Sequence, residues 1–170
     1  MPFLIKTFKR GLLPFLLIEL LLLPSVAMAT CNSAVTATSD HLVDNNDGTV
    51  SDSKTALVWQ KCSLGQTYNS TTNVCDGSAT ALTWQAALQQ ESVEWRVPNI
   101  KELSSIVELS CYSPSINETV FPATIISTYW SSSPYADYSD LAWAVYFGAG
   151  SDDTYDKYSD YYVRLVRSGQ

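Results

Sequence analysis

The stretch that decides the fold lies at residues 129–167 and reads "YWSSSPYADYSDLAWAVYFGAGSDDTYDKYSDYYVRLVR". Apolar residues alternate in it with small or polar ones, which is typical of strands, whose successive side chains point to opposite faces of a sheet. Near its end, Val163 and Leu165 share one face, and we expect Arg164 and Arg167 to pair with carboxylates or with the C-terminal region. Long polar segments separate the apolar runs. The stretch therefore predicts a sheet with extended polar connections.

The run "AWAVYF" is the clearest strand in this stretch. Trp143, Val145 and Phe147 alternate on one side of it, which predicts packing into the core. Ala144 and Tyr146 point the other way, so Tyr146 is predicted to face outward. Core packing is also the interpretation of the remaining tryptophans, Trp59, Trp84, Trp95 and Trp130.

A first helix is predicted within residues 80–90, "TALTWQAALQQ". Thr83 is of a type that caps helix N-termini. Trp84, Ala87 and Leu88 then fall on one face at helical spacing.

A second helix is predicted within residues 95–109, "WRVPNIKELSSIVEL". Asn99 is its expected N-cap, and Glu102, three residues later, completes a capping-box pattern. The expected apolar face consists of Ile100, Leu103, Ile106 and Val107.

An N-terminal hairpin is predicted at residues 41–60, where two apolar runs flank the turn dipeptide Asp47-Gly48. The aspartates around this turn invite comparison with a calcium loop. An EF-hand loop, however, needs ligands at alternating positions and a distant Glu, and the second Asp here falls one position early with no such Glu. We therefore expect a turn and no metal site.

Residues 1–29 are typical of a secretory signal peptide. A basic segment precedes the apolar stretch "LLPFLLIELLLLPSVA", and Ala27-Met28-Ala29 gives the small-residue cleavage pattern. We expect cleavage before Thr30 and export to the periplasm, the cell surface or the medium. An uncleaved membrane anchor is disfavoured, because the uncharged run after Glu19 is too short to span a bilayer. A lipoprotein with a lipid on Cys31 fits this cleavage site poorly.

The charge of the mature chain limits its partners. Cleavage removes three of the ten basic residues and one of the 17 acidic residues, which leaves seven against 16 and a net charge near −9 on 141 of the 170 residues. Such a surface repels phosphate backbones, anionic lipid heads and sulfated polysaccharides. We therefore expect no nucleic-acid binding and no direct binding to membrane lipids.

The mature chain keeps four cysteines, Cys31, Cys62, Cys75 and Cys111. An even number in an exported chain predicts two disulfides, for which three pairings exist. Cys62 and Cys75 bracket a polar loop, which favours a local bridge and leaves Cys31 with Cys111. The spacing does not fit a zinc site, since no C-x-x-C occurs and the chain has a single histidine.

The order of these segments resembles a known family. "DGTVSDSKTALVWQ", "WRVPNIKEL", "YWSSSPY", "AWAVYF" and the terminal "YYVRLVRSGQ" together resemble the Lcl C-terminal domain family, named for the ligand-binding end of a bacterial collagen-like adhesin. The resemblance covers most of residues 42–170, after the signal peptide at 1–29 and a disulfide-tethered leader at 30–41. It implies an α+β, C-type lectin-like domain: two helices packed on a twisted, mostly antiparallel sheet, here with two disulfides.

Some members of this family resemble targets of diversity-generating retroelements, whose changeable positions are dominated by Tyr, Asn, Asp and Ser on a fixed frame. Eight of the ten tyrosines of this chain lie between Tyr129 and Tyr162, so the enrichment is local. We hypothesise that the gene is such a target. Because a protein sequence does not show codons, the alternative stays open.

The predicted recognition surface consists of tyrosines and aspartates around "AWAVYF". Tyrosine provides a large contact area and one hydroxyl at a low entropy cost, as in antibody paratopes. An ordinary solvated sheet edge is the alternative. The predicted ligand-binding residues are Tyr135, Asp137, Tyr138, Asp140, Tyr146, Asp152, Asp153, Tyr155, Asp156, Tyr158 and Asp160.

The sequence therefore predicts an exported ligand-binding or adhesion-type domain with an unidentified protein or glycan partner at a cell surface. No catalytic residue or cofactor is predicted, since no G-x-S-x-G or H-E-x-x-H motif occurs and loop aspartates should stay ionised. The Glu-Pro-Asn and Trp-Asn-Asp calcium signatures of C-type lectins are also absent. A carbohydrate-active enzyme and a structural, oligomeric subunit of a surface assembly are the alternatives.

Peptide mapping by mass spectrometry without reduction is expected to link Cys62 to Cys75 and Cys31 to Cys111. Free thiols or another pairing would contradict this framework. A lipid on Cys31 would contradict the predicted cleavage before Thr30.

Overall fold

The computed structural model describes residues 29–169. Apart from Ala29, the predicted signal peptide lies outside the described residues. The strands are β1 (Thr30–Cys31), β2 (Leu42–Asp44), β3 (Thr49–Asp52), β4 (Leu57–Gln60), β5 (Thr67–Asn69), β6 (Val74–Asp76), β7 (Cys111–Tyr112), β8 (Thr128–Pro134), β9 (Leu141–Tyr146), β10 (Ser151–Asp156) and β11 (Val166–Ser168). The helices are α1 (Trp84–Leu88) and α2 (Ile100–Ser105). The described chain is therefore rich in strands and poor in helix.

The strands form two main antiparallel sheets. One has four strands in the order β11-β4-β3-β2, so the last strand of the chain pairs with the N-terminal hairpin. The other has three strands in the order β10-β9-β8. Two smaller strand pairs accompany the disulfides: β1 pairs with β7 at the Cys31–Cys111 bridge, and β6 carries Cys75, which is bonded to Cys62. The predicted disulfide pairing is confirmed.

The predicted N-terminal hairpin is also confirmed, and its aspartates form the turn. The Asp47 carboxylate accepts hydrogen bonds from the backbone N–H and the hydroxyl of Thr49, at 2.9 and 2.6 Å. The Asp44 carboxylate accepts the backbone N–H of Asn46 at 2.9 Å. Gly48 has a φ of +89°, which L side chains rarely adopt.

Buried side chains cover both faces of the three-stranded sheet. A first core joins α2 to both main sheets, and its largest fully buried members are Trp59, Leu103, Ile106, Phe121, Tyr129 and Phe147. A second core lies under α1 and includes Ala87, Val97, Trp130, Ala142, Ala144, Val163 and Leu165. The predicted core positions of Val145 and Phe147 are confirmed. Ala144 does not face outward, because its face of β9 packs on the second core.

Both predicted helix starts are confirmed. The Thr83 hydroxyl accepts the backbone N–H of Ala86, and Thr83 is the N-cap of α1. Asn99 caps α2 and forms the predicted capping box with Glu102. These signals depend only on residues three positions apart, so a short sequence window contains them.

The helices are much shorter than predicted, with five and six residues. Leu82 pairs with Tyr161 and Arg96 pairs with Val166 in isolated bridges, so the flanking residues are extended. Pro98 disfavours helical backbone at the residue before it. Within residues 29–169, neither helix is long and apolar enough to cross a membrane. The expected antiparallel sheets and two disulfides are confirmed, but the described residues are richer in strand and poorer in helix than expected.

A β-bulge in β8 accepts hydrogen bonds from both helices. The ladder between β8 and β9 shifts its register after Trp130, at three consecutive serines. The indole N–H of Trp84 on α1 donates to the carbonyl oxygen of Ser131 at 2.8 Å. The backbone N–H of Ile100 on α2 donates to the hydroxyl oxygen of Ser133 at 3.0 Å. The serine run therefore positions α1 and α2 on opposite faces of the sheet.

Within the described residues, neither Arg164 nor Arg167 pairs with a carboxylate, which was the first of the two expected kinds of partner. Arg164 is fully buried, and its guanidinium donates to the carbonyl oxygens of Gln60 and Lys61. The Arg167 guanidinium lies 5.3 Å from the centre of the Trp95 ring. The C-terminal segment runs beside the end of β4, where carbonyl groups are the available acceptors.

Glu108 fastens the leader to the main domain. Its buried carboxylate accepts hydrogen bonds of 2.6–3.2 Å from the backbone N–H groups and the hydroxyls of Thr38, Ser39 and Ser110. Burial alone would raise the pKa of Glu108. The hydrogen bonds outweigh burial and lower that pKa from 4.5 to about 2.

A Glu108→Gln variant tests this attachment. Because the pKa of Glu108 is lower in the folded than in the unfolded chain, its carboxylate stabilises the fold fully above pH 4.5 and progressively less as the pH falls through about 2. We expect the variant to lose about 3 kcal/mol of unfolding free energy at neutral pH, with the deficit narrowing in acid. Urea unfolding over a pH series measures this, with exposed Glu94→Gln as the unchanged control. A deficit that does not vary with pH would contradict the interpretation.

Candidate functional site

Two polar connections meet at one end of the three-stranded sheet. The backbone N–H of Lys157, after β10, donates to the carbonyl oxygen of Asp140, before β9, at 2.9 Å. The Lys157 ammonium donates to the carbonyl oxygen of Ser139 at 2.7 Å. We call residues 135–140 and 156–160 the tip. It brings together seven of the predicted site residues, Tyr135, Asp137, Tyr138, Asp140, Asp156, Tyr158 and Asp160.

The tip is built on a short row of aromatic rings. Tyr135 packs edge-on against Trp143 of β9, with ring centres 5.5 Å apart. Tyr138 stacks on Tyr135 at 6.1 Å with an interplanar angle of 18°. Tyr138 is 62% exposed, and Tyr158 on the neighbouring connection is 83% exposed. The row anchors one tyrosine and leaves large ring faces open to solvent.

Exposed carboxylates surround these rings. Hydrogen bonding to Asp137, together with its charge, raises the pKa of Tyr135, so this phenol keeps its donor proton. The Asp156 carboxylate accepts the backbone N–H of Tyr158 at 2.8 Å and shapes the second connection. The Lys157 ammonium lies 4.3 Å from the centre of the Trp84 ring. Because this cation is engaged by Ser139 and Trp84, the tip presents phenols and negative charge.

Three other predicted site residues lie on a strand that the sequence did not predict. Asp152, Asp153 and Tyr155 were placed in a polar connection, but residues 151–156 form β10, an edge strand paired with β9. An edge strand tolerates acidic side chains, which also protect it from pairing with other chains. Tyr155, one of the predicted ligand-binding residues, packs at the edge of the second core. Its half-buried ring packs against Tyr161, with centres 5.1 Å apart.

Tyr146 lies away from the tip. It is 37% exposed, as the alternation predicts, but it stands opposite Ser151 beside the turn between β9 and β10. Asp152 and Asp153 follow on β10, opposite Val145 and Ala144. Their side chains therefore project on opposite faces of the sheet. The structure does not bring these residues together with the tip.

Trp143 is the site residue that the sequence pattern missed. The alternation assigned it to the core with Val145, but it is only half-buried and lines an open groove beside α2. Its neighbour across the ladder, Thr154, is on the edge strand and too small to cover the indole. The position of β10 at the edge of the sheet leaves the indole half-exposed, and the sequence around Trp143 does not show that position. Among residues 29–169, no group of three His, Cys, Asp or Glu side chains is placed to hold a metal ion.

The family comparison covers most of the two main sheets as well as the tip. The model of the Lcl C-terminal domain matches residues 48–167. The chain belongs to the Lcl C-terminal domain family. No curated protein and no solved structure matches the chain. The matched Lcl C-terminal domain begins at the turn of the N-terminal hairpin and ends in β11, and the leader precedes it.

Membership in the Lcl C-terminal domain family indicates a ligand-binding, adhesin-type domain. The two disulfides indicate an oxidising environment of the kind met by exported proteins. Both findings agree with an exported, adhesin-type domain.

The different surroundings of two site tyrosines give a direct test. Tyr155→Ser removes a ring that packs on the second core, so we expect a loss of about 1–2 kcal/mol in unfolding free energy. Tyr158→Ser removes an exposed ring and is expected to change it by no more than about 0.5 kcal/mol. Denaturant unfolding of both variants measures the difference. Equal losses would show that exposure does not separate the tip from the frame.

Proposed function

We propose that this Lcl C-terminal domain is an exported, adhesion-type module that binds a protein or glycan at a cell surface through the tip. The observation that carries the proposal is the exposure of Tyr138 and Tyr158 on two connections that are hydrogen-bonded to each other. Large exposed rings that the fold does not need are typical of recognition surfaces.

The chemistry of the tip supports binding. Buried at an interface, a tyrosine ring contributes a large contact area, and aromatic anchors often dominate binding free energies. Asp137, Asp140 and Asp160 add acceptors for the hydroxyl, amide or ammonium groups of a partner. Negative charge at the tip would also steer a partner of complementary charge.

The frame that we propose is C-type lectin-like. The pairing of β11 with β4 supports it, because that pairing brings the end of the chain beside the N-terminal hairpin. The location of the site on connections at one end of a sheet also agrees with a loop-borne ligand surface. The short helices are the feature that fits this layout least.

Export and diversification complete the proposal. A signal peptide at residues 1–29 would direct the chain to the periplasm, the cell surface or the medium, where the disulfides form. Tip residues would be the positions varied by a diversity-generating retroelement. Sequencing the locus tests this part: it requires a template repeat that differs from the codons of the tip at adenines, and an unaccompanied gene would contradict it.

We propose binding rather than catalysis. A general acid in a glycosidase needs burial or a neighbouring charge that keeps it protonated, whereas Asp137, Asp140 and Asp156 are exposed. A carbohydrate-active enzyme would need a protected pair of carboxylates.

A double variant, Tyr138→Ser with Tyr158→Ser, tests the proposed function. It keeps two hydroxyls and removes two exposed rings, so it should melt close to the parent protein. Binding to intact cells by flow cytometry and to a glycan array should fall at least tenfold, since each anchoring ring is worth about 1–2 kcal/mol or more.

The matched control is Tyr112→Ser. Tyr112 is 58% exposed on β7, beside the disulfide-tethered leader and outside the tip. This variant should bind as the parent does. A double variant with unchanged binding would contradict the tip as the recognition surface, and a large fall in its melting temperature would make these tyrosines part of the frame.

A further inference from the structure

A continuous cleft runs along the exposed side of α2. Two grooves, with volumes of about 470 and 370 Å³, share the lining residues Ser104, Ser105 and Asp152. Trp143 and Lys101 line the first groove, and the indole of Trp143 also contacts Tyr135 of the tip. Lys54 lines the second. Each groove is within the size range of small-ligand sites.

The cleft holds the cations that the fold leaves unused. Residues 29–169 contain seven Lys and Arg residues. The fold engages five of them: Lys61 with Asp44, Arg96 with Glu102, Lys157 with Ser139 and Trp84, Arg164 with the carbonyls of β4, and Arg167 with Trp95. Within the described residues, the ammonium groups of Lys54 and Lys101 have no hydrogen bond, ion pair or aromatic partner. Both lie at the cleft of a protein that is otherwise strongly acidic.

The polar groups between the two lysines can only accept further hydrogen bonds. The Ser104 hydroxyl donates to the carbonyl oxygen of Ile100 at 2.8 Å, and the Ser105 hydroxyl donates to that of Glu102 at 2.7 Å. Their lone pairs remain, together with those of the Asp152 carboxylate. A ligand that lies here must therefore bring hydroxyl or amine donors.

The ring nitrogens of His41 have no hydrogen-bond partner among the described residues, but their burial keeps them from a ligand in the cleft. His41 lines the second groove, but its ring nitrogens are buried and lie 3.8 Å from an Asp40 oxygen and 3.6 Å from an Asp52 oxygen. The ligand chemistry is therefore set by the indole, the two lysines and the three acceptors.

We propose that this cleft binds a carboxylate-bearing sugar at the end of a glycan. The flat C–H face of the sugar ring lies on Trp143, its hydroxyls donate to Ser104 and Asp152, and its carboxylate pairs with Lys101. Lys54 extends the positive potential along the cleft. The net negative charge of the protein favours a single acidic sugar over a densely charged chain. This inference rests on the proposed function and names the ligand class at the side of the tip.

The experiment is a titration of the isotope-labelled protein with three probes, followed by NMR. The probes are methyl glucuronoside, neutral methyl glucoside and a nucleoside monophosphate. We expect methyl glucuronoside to shift the indole N–H signal of Trp143 and to bind at least about tenfold more tightly than the glucoside, since one charge-assisted hydrogen bond is worth that much. Equal binding of the two sugars, or no shift at Trp143, would overturn the inference. Tighter binding of the nucleotide would assign the cleft to phosphate ligands and overturn it as well.

Two variants separate charge from shape. Lys101 is exposed on α2, so Lys101→Gln should fold normally and bind methyl glucuronoside about tenfold more weakly, whereas Lys101→Arg keeps the charge and most of the affinity. Unchanged affinity in Lys101→Gln would overturn the inference. If no probe binds while the Tyr138→Ser, Tyr158→Ser variant still loses cell binding, the sugar site fails and the proposed function stands. Cell binding that does not depend on the tip removes the proposed function instead.

Discussion

Arg164 makes the interaction on which the rest of the structure depends. Its fully buried guanidinium joins the C-terminal segment to the end of β4 through the carbonyls of Gln60 and Lys61, and it donates to the Thr124 hydroxyl at 2.8 Å. The Phe121 ring lies 4.6 Å from the guanidinium carbon. Burial lowers the pKa of Arg164 to about 10, so it is still charged at neutral pH. A charge buried without a carboxylate is stable only while these acceptors stay in place, which ties distant segments of the chain together.

The contacts of Arg164 are made by residues outside the tip, so substitutions in the tip are expected to have little effect on folding. Ser63, which follows β4, is hydrogen-bonded to the hydroxyl of Tyr129 on β8 at 2.7 Å, so the same cluster reaches the three-stranded sheet that carries the tip. Tyr129 and Trp130 are fully buried on β8, and the serine bulge beyond them holds both helices. None of these contacts is made by a residue of the tip. Substitutions of its exposed rings and carboxylates are therefore expected to cost little folding free energy, as the proposed recognition surface requires.

The sequence predicts the features whose causes are local. The N-caps Thr83 and Asn99, the turn at Asp47-Gly48 and the short disulfide loop each depend on residues that are close along the chain. The sequence does not predict features that depend on residues far away along the chain. The two carbonyl acceptors of Arg164 lie 103 and 104 residues away, and no pattern around Arg164 predicts them. β10 is too acidic to be predicted as a strand until its position at the edge of a sheet is known, and the half-exposed Trp143 is a consequence of that position. Seven site residues meet at the tip because the chain returns there, which spacing alone does not reveal.

Native-state hydrogen exchange tests the central claim, that one joined frame carries a separable tip. Amides of β4, β8 and β9 and of the segment around Arg164 should exchange with one free energy, that of global unfolding, because the buried cluster links them. Amides of residues 137–140 and 157–160 should exchange through local openings of much lower free energy. Tip amides that exchange only on global unfolding, or two main sheets that open at different free energies, would contradict the account.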